Sequence, residues 1–585
     1  MTSAPVRRPC GPRVHRALAL VVALFCAVIA VHPPGAFAVT YVKISGSGST
    51  WSANAIEQWR RNVRQQGMTV NYASVGSSVG RTQFANGTSD FGVSEIPYGL
   101  KEFGTTDTPP QRKYAYMPIV AGGTSFMYNL RIGGNRVTNL RLSGEVLTKI
   151  FTGRLTMWNA PEIRSDNPKL TLPARRIVPV IRSDGSGTTA QFTLWMSKQH
   201  GSLWKDYCRR AGKSTPCGLT SYYPNIPGSG FVAQSGSLGV AGYTKQPQAE
   251  GAITYVEYSY ARNAGFPVVK VLNKSGYYVE PTASSVAVAL TQARINDDSR
   301  SANYLTQNLD GVYTYGDRRT YPLSSYSYMI VPTKEEMGFT KAKGVTLSAF
   351  DNYFLCEGQQ LADRLGYSPL PINLVQAAME QVRRIPGAVT ENIDIKKCNN
   401  PTFSSDGKNL LAKNAPYPAA CDQKGQDQCA TGTGGARQST SPGGSGTSGG
   451  GSAAGGSGTA GGSGASGGAG TAGGAGPTGS TGATGTATTT GGGGATGTTG
   501  GTGSTSAGTV VDPDTGQVLG ADGGTGDTSV AASPVSLGTG DALGLRTVLM
   551  ALSAVLLIGV VVGPPLVGRL LTQRAQRARR ERGSV

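Results

Sequence analysis

The chain has 585 residues, a formal net charge of +20 and 84 glycines, more sequence than one ordinary domain needs. The first 38 residues contribute +4, the tail from Arg569 contributes +5 and residues 431–546 contribute −3, which leaves +14 for residues 39–430. A basic domain of this kind favours anionic ligands or anionic cell-wall polymers, and an export signal at the start of the chain disfavours nucleic acid as a partner.

Arg7, Arg8, Arg13 and Arg16 precede the apolar run of residues 17–31, and Ala36-Phe37-Ala38 follows it. This is the pattern of a secretory signal peptide cleaved after Ala38. Cys26 lies in mid-run behind Ala23-Leu24-Phe25, which rejects a lipoprotein signal. From residue 39 to about 430 the composition is globular, and strand-like and helix-like stretches alternate as in an α/β fold.

Residues 41–44 read as a short strand, Gly46-Ser47-Gly48-Ser49-Thr50 as a turn, and Trp51, Ala55, Ile56 and Trp59 as one face of a helix. Residues 70–74 repeat the pattern as a strand, with Gly76-Ser77-Ser78 as its turn and a helix over residues 79–85. A short strand follows within residues 90–97 and ends in a carboxylate, Glu95. A β-branched run over residues 177–181 ends at Arg182, passes through Ser183-Asp184-Gly185-Ser186-Gly187-Thr188 and opens a helix over residues 189–198 carrying Phe192, Trp195 and Met196. Glycine lets such a turn approach a ligand, and the first N–H groups of a helix have no internal partner. Three hydroxyl-rich strand–turn–helix units whose helix N-termini converge make an anion site, with Arg182 adding a forked donor.

Other motifs weigh less. Gly76-Ser77-Ser78-Val79-Gly80 matches the nucleophile elbow G-x-S-x-G, but His200 is the one histidine beyond the signal region that could act as base, so a hydrolase is not expected. Gly212-Lys213-Ser214 matches the end of a P-loop, yet Tyr207 stands where its first glycine must be. Six cysteines follow the signal segment, Cys208, Cys217, Cys356, Cys398, Cys421 and Cys429. An even number in an exported domain argues for disulfides, with Cys208–Cys217 and Cys421–Cys429 as local pairs leaving Cys356–Cys398, although six cysteines allow fifteen connectivities. A metal site fails for want of C-x-x-C spacing and histidines.

From residue 431 the composition collapses to Gly, Ser, Thr and Ala, and residues 431–546 read as a disordered, low-complexity flexible linker. As a coil its reach is about 50–60 Å. Residues 512–516, Asp-Pro-Asp-Thr-Gly, read as a short turn. Residues 547–567 are almost wholly apolar and long enough for one transmembrane helix, and the arginine-rich tail of residues 568–585 places that end in the cytoplasm by the positive-inside rule.

With Gly46–Trp51, Gly76–Ser78, Gly92–Pro97 and Arg182–Thr188 in this order, the sequence resembles the phosphate-binding protein of the high-affinity phosphate ABC transporter. The likeness continues through Gly153-Arg154-Leu155-Thr156-Met157-Trp158-Asn159, residues 250–258 and Tyr321-Pro322-Leu323-Ser324, and covers roughly residues 43–400. The resemblance implies a two-lobed periplasmic-binding-protein fold of type II, one lobe at about 39–118 plus 323–430 and the other at about 119–322. It also implies a monomer that binds inorganic phosphate, carries no cofactor, performs no chemistry and delivers to permease subunits.

Carried over by motif, Thr50, the Trp51 backbone, Ser77, Glu95, Arg182, Ser186, Gly187 and Thr188 are the implied phosphate contacts. Asp184 either orients Arg182 or caps its turn. Phosphate near neutral pH keeps a proton it can donate to a carboxylate, whereas sulfate cannot, so Glu95 is the selectivity element. The family has aspartate at this position. The tether and span, in place of a lipid anchor, fit a membrane-held binding protein, or alternatively a surface sensing or adhesion module without a transport role.

Overall fold

The computed structural model describes residues 40–301, 303–389, 398–404, 407–439, 510–511 and 518–519. Eight strands form one mixed sheet: β1 (Ile44–Gly48), β2 (Val70–Ala73), β3 (Phe91–Ser94), β4 (Tyr114–Tyr128), β5 (Val178–Arg182), β6 (Val232–Gln234), β7 (Ala252–Glu257) and β8 (Ser324–Pro332). Their order is β6-β5-β7-β4-β8-β3-β1-β2. Two parallel groups, β1 with β2 and β3, and β5 with β6 and β7, flank the antiparallel pair β4/β8. This is the α/β arrangement expected from the sequence, with two long strands joining its halves.

β4 joins the halves because it is long and apolar from end to end. Its 15 residues, YAYMPIVAGGTSFMY, are buried except for half-buried Tyr114, as a strand covered on both faces requires. Tyr114 to Gly123 pair with β8, and Thr124 to Tyr128 pair with β7. Pro118, which has no N–H to give the ladder, lies opposite Tyr328 where the register shifts between Ser327 and Tyr328.

The helices that matter are α1 (Ala53–Arg64), α2 (Ser77–Ala85), α3 (Gly187–Gln199), α4 (Gly236–Thr244), α5 (Lys341–Leu355) and α6 (Ile372–Val382). α1 buries Ala55, Ile56, Trp59 and Val63 along one stripe, and Trp59 stacks on Phe354 of α5 at 4.7 Å. Element boundaries differ from the sequence reading. β1 runs through the Gly/Ser stretch expected as a turn, because Gly46 lies under the Phe91 ring and a Cβ there would meet it at 2.0 Å. α2 and α3 start two residues early, at Ser77 and Gly187; the Ser186 cap sets the start of α3, whereas α2 follows Gly76 without a side-chain cap.

The end of the domain also departs from expectation. The disulfides are Cys208–Cys217, Cys356–Cys398 and Cys421–Cys429, as the sequence spacing suggested. Asn400 and Thr402 hold the Leu370 carbonyl, but from Leu410 the chain packs against residues 138–319, not against the β1 group. The buried Arg141 guanidinium takes the carbonyls of Cys421 at 2.7 Å and Gln426 at 2.9 Å. Residues 431–438, expected as the start of the linker, are instead packed. Thr433 N–H donates to the Thr138 carbonyl at 3.0 Å, Gly434 N–H to Glu280 at 2.7 Å, and Arg437 pairs with Glu280 at 3.0 Å. Small residues suit a linker and equally suit a strap laid tightly on a backbone, so composition alone does not separate the two.

Among the described residues no helix is long and apolar enough to cross a membrane. The expected signal peptide of residues 1–38, residues 440–509, 512–517 and 520–546 of the linker expected over 431–546, and the span over residues 547–567 with its basic tail lie outside the described residues. In the second compact unit, Gly456–Val585, the described feature is an antiparallel pair, Val510–Val511 with Val518–Leu519, on either side of the stretch read as a turn.

One core residue stands against its surroundings. Asp351 on α5 is fully buried, neither carboxyl oxygen has a partner, and burial pushes its carboxyl well above the usual range. A raised carboxyl stabilises the fold below its unfolded value, and that contribution is lost as pH rises through the folded one. Asp351→Asn is therefore expected to gain stability over the wild type as pH rises from 5 to 8, by roughly 1 kcal/mol or more at the upper end, read as a pH-dependent difference in Tm.

Candidate functional site

The chain just beyond the carboxyl ends of β1, β2, β3 and β5 converges, and Glu95, the first residue after β3, lies at the centre with 1% of its surface exposed. Ser49 Oγ donates to Oε1 at 2.5 Å, Ser327 Oγ to the same oxygen at 2.8 Å, and Ser77 Oγ to Oε2 at 2.9 Å. Two of these hydroxyls pass on backbone donors. Trp51 N–H donates to Ser49 Oγ at 3.0 Å, and Gly187 N–H donates to Ser77 Oγ at 3.1 Å. Burial pushes the Glu95 carboxyl up, and the hydrogen bonds from Ser49, Ser327 and Ser77 oppose that rise.

Gly187 is the first residue of α3, and a Cβ there would lie 1.9 Å from Glu95 Oε2 and 2.6 Å from Ser77 Oγ. Only glycine lets a carboxylate and a hydroxyl lie against the start of this helix, where its dipole is positive. Ser186 caps α3, accepting from Thr189 N–H at 3.1 Å. The Thr188 hydroxyl is buried without a hydrogen-bond partner.

Arg182, at the end of β5 and 2% exposed, is held on two sides. Its Nε donates to Asp184 Oδ1 at 2.7 Å, its Nη2 to Asp184 Oδ2, and its Nη1 to Ser237 Oγ at 3.4 Å. Asp184 also accepts from Gly236 N–H at 2.9 Å, so it orients Arg182 and satisfies the first residue of α4 rather than capping its own turn. Burial acts to raise the Asp184 carboxyl, but the Arg182 guanidinium outweighs it and holds the group below the usual range. Thr50 Oγ1 and Ser237 Oγ are 2.8 Å apart, and Ser237 N–H donates to Thr50 Oγ1 at 3.2 Å.

Thus Trp51, Glu95, Ser77 and Gly187 form one chain of hydrogen bonds, and Thr50, Arg182 and Asp184 form another through Ser237. Ser186 acts as a cap, and Thr188 holds a free hydroxyl beside it. Both networks connect the β1 group to the β5 group. Sequence reasoning missed Ser49, Ser237 and Ser327 as participants. Ser49 lay inside a motif already singled out and carried a usable signal, while Ser237 and Ser327 reach the site from distant elements with no local pattern. Ser78 and His200, the pair a hydrolase needs, do not meet. Ser78 N–H bonds Gly185 before α3, and His200 follows the far end of that helix against Trp195, about 20 Å along its axis.

A family model described as a PBP superfamily domain matches residues 33–357. The chain is 32% identical over 347 residues to a phosphate-binding protein PstS of Xylella fastidiosa, covering 59% of this chain and 86% of that relative. It is 30% identical to the phosphate-binding protein PstS of Haemophilus influenzae, with 58% and 92% covered, and 32% identical to phosphate-binding protein PstS 3 of Mycobacterium tuberculosis, with 56% and 82% covered. The chain belongs to the PBP superfamily and, within it, to the phosphate-binding proteins that serve as substrate-binding subunits of phosphate ABC transporters. That is a substrate-binding family and not an enzymatic one.

Gly187→Ala is expected to force Glu95 off Ser77 and to cost about 1–3 kcal/mol by overpacking. Thermal unfolding checks the loss, and Gly201→Ala, with open space at its Cβ position, is the neutral control.

Proposed function

We propose that this protein binds inorganic phosphate at the centre described above and hands it to the permease of an ABC transporter. The observation that carries the reading is the buried meeting of Arg182, the α3 N-terminus and hydroxyls from both strand groups around one carboxyl group, Glu95. In this reading Thr50, the Trp51 backbone, Ser77, Arg182, Ser186, Gly187 and Thr188 donate to phosphate oxygens, and Asp184 keeps Arg182 aimed. Charge-assisted donors of this kind are each about twice as strong as neutral ones. The family is a substrate-binding one, so phosphate is held here and released unchanged.

Glu95 supplies discrimination. A carboxylate accepts the proton that phosphate retains, and against sulfate it faces a second acceptor, a mismatch that costs several kcal/mol when buried. The two strand groups, hinged on β4 and β8, are the two lobes that close on the ligand. A span over residues 547–567 would hold the domain to the membrane from outside, with the residues between acting as the tether and the basic tail in the cytoplasm.

Calorimetry on the full chain tests the binding: phosphate heat with little sulfate heat is expected, and no phosphate heat after removal of carried-over ligand would sink the reading. Glu95→Gln is expected to weaken phosphate and strengthen sulfate, so that their affinity ratio falls by about tenfold or more. Deleting residues 547–585 is expected to release the binding domain from the membrane fraction into the medium. Retention in the membrane fraction would remove the anchor from the proposal.

A further inference from the structure

Both oxygens of Glu95 are already taken by donors, among them Ser77, which an anion in this site would use. Ser49 and Ser327 serve one oxygen, Ser77 serves the other, and the N–H groups of Trp51 and Gly187 stand behind two of those hydroxyls. The carboxylate is pressed against the first residue of α3, as the 1.9 Å approach to a Cβ at Gly187 demonstrates. Its main-chain carbonyl is held as well, by Gln191 Nε2 at 2.9 Å, so the stem of the side chain is anchored on the same helix. A shorter carboxylate, withdrawn by one methylene or about 1.5 Å, would not reach both sets of donors.

We propose that Glu95 is the resident anion of this site: its carboxylate competes with phosphate for Ser77 and the α3 N-terminus, and it yields them when it takes a proton, so that phosphate capture is linked to proton uptake. This rests on the phosphate reading of the site given above. The incoming dianion and an ionised Glu95 repel one another in a buried space. The bound state therefore holds one more proton than the separated partners, shared between the carboxyl and a phosphate oxygen. Phosphate binding weakens as pH rises, beyond the change caused by the titration of phosphate itself.

The other titratable groups around Glu95 do not supply this dependence. Tyr72 of β2, Tyr328 of β8 and Tyr260 beyond β7 bear on it, and burial pushes each phenol far above its ordinary value, so they stay neutral. Asp184 beyond β5 is held ionised by Arg182. Glu257 at the end of β7 is buried and pushed well up, but its Oε2 takes Ser259 N–H and its Oε1 has no hydrogen-bond partner, so its protonation does not alter the hydroxyl donors on Glu95. Glu95 is the group whose protonation changes what the donors see.

The test is calorimetric titration of the full chain with inorganic phosphate at pH 6, 7 and 8, for wild type, Glu95→Asp and Glu95→Gln, with folding checked by Tm. Glu95→Asp keeps the acceptor and withdraws it from the donors, so it is expected to bind phosphate about tenfold or more tightly than wild type at pH 8. The wild-type affinity is expected to fall from pH 6 to pH 8 by about tenfold more than that of Glu95→Gln, which reports the titration of the ligand alone. Equal or weaker binding by a folded Glu95→Asp, or the same pH slope in wild type and Glu95→Gln, overturns the inference while leaving phosphate binding intact. If Glu95→Asp does not fold, the slope comparison decides alone. Absence of phosphate heat from wild type and both folded variants overturns the phosphate reading itself, and this inference with it.

Discussion

The pairing of β4 with β8 is the constraint on which the rest of the structure depends. A parallel group of strands needs helices on its faces and presents its helix N-termini at the carboxyl edge. Here two such groups share one sheet because β4 is long enough to pair with β8 along most of its length and with β7 along the remainder. Both strands are buried, and the pairing they make is antiparallel, so the two carboxyl edges face a common region. Every donor of the site enters from one of those edges, or, in the case of Ser327, from β8 itself.

Within that frame the site is a balance of large terms. An ionised carboxylate moved into a buried position costs several kcal/mol even after relaxation. Three hydroxyl donors, each contributing about 1.5–3 kcal/mol to a charged acceptor, offset that cost in large part. The residue of the balance is a carboxyl group raised from its ordinary value yet fully hydrogen-bonded. Arg182 is treated differently: its own partner, Asp184, lies two residues away, so its charge is neutralised locally and its direction is fixed before any ligand arrives. One half of the site is therefore rigid and paired, and the other is an acceptor whose protonation state is open to change.

The stretch beyond Leu410 adds a third connection between the halves. The Cys356–Cys398 disulfide and the Asn400 and Thr402 bonds hold the chain to the β1 group, and the segment ending at Arg437 holds it to the β5 group. Glu280 gathers Gly434 N–H, Arg437 and the Tyr258 hydroxyl, so the strap is tied through a buried acceptor rather than by apolar area. Residues 431–438 thus lie on the side of the β5 group.

Much of this was legible in the residues. Periodicity marked the strands and helices of each unit, Gly and Ser clusters marked the turns, and cysteine spacing suggested the three pairs, because all of these are short-range signals with a fixed geometric cause. The eight residues named for the site do enter the two hydrogen-bond networks or adjoin them, since each follows a strand end whose position was readable. The sequence by itself determined the α/β class and the chemistry of the donors. Only the tertiary structure decided that Gly46 lies in a strand under Phe91, that Ser237 and Ser327 join the site, and that residues 431–438 are a strap rather than a linker. It also decided where the Glu95 carboxylate rests. Each of those depends on contacts between segments far apart in the chain, and one methylene more or less at Glu95 changes which donors are within reach without leaving any mark on the local pattern.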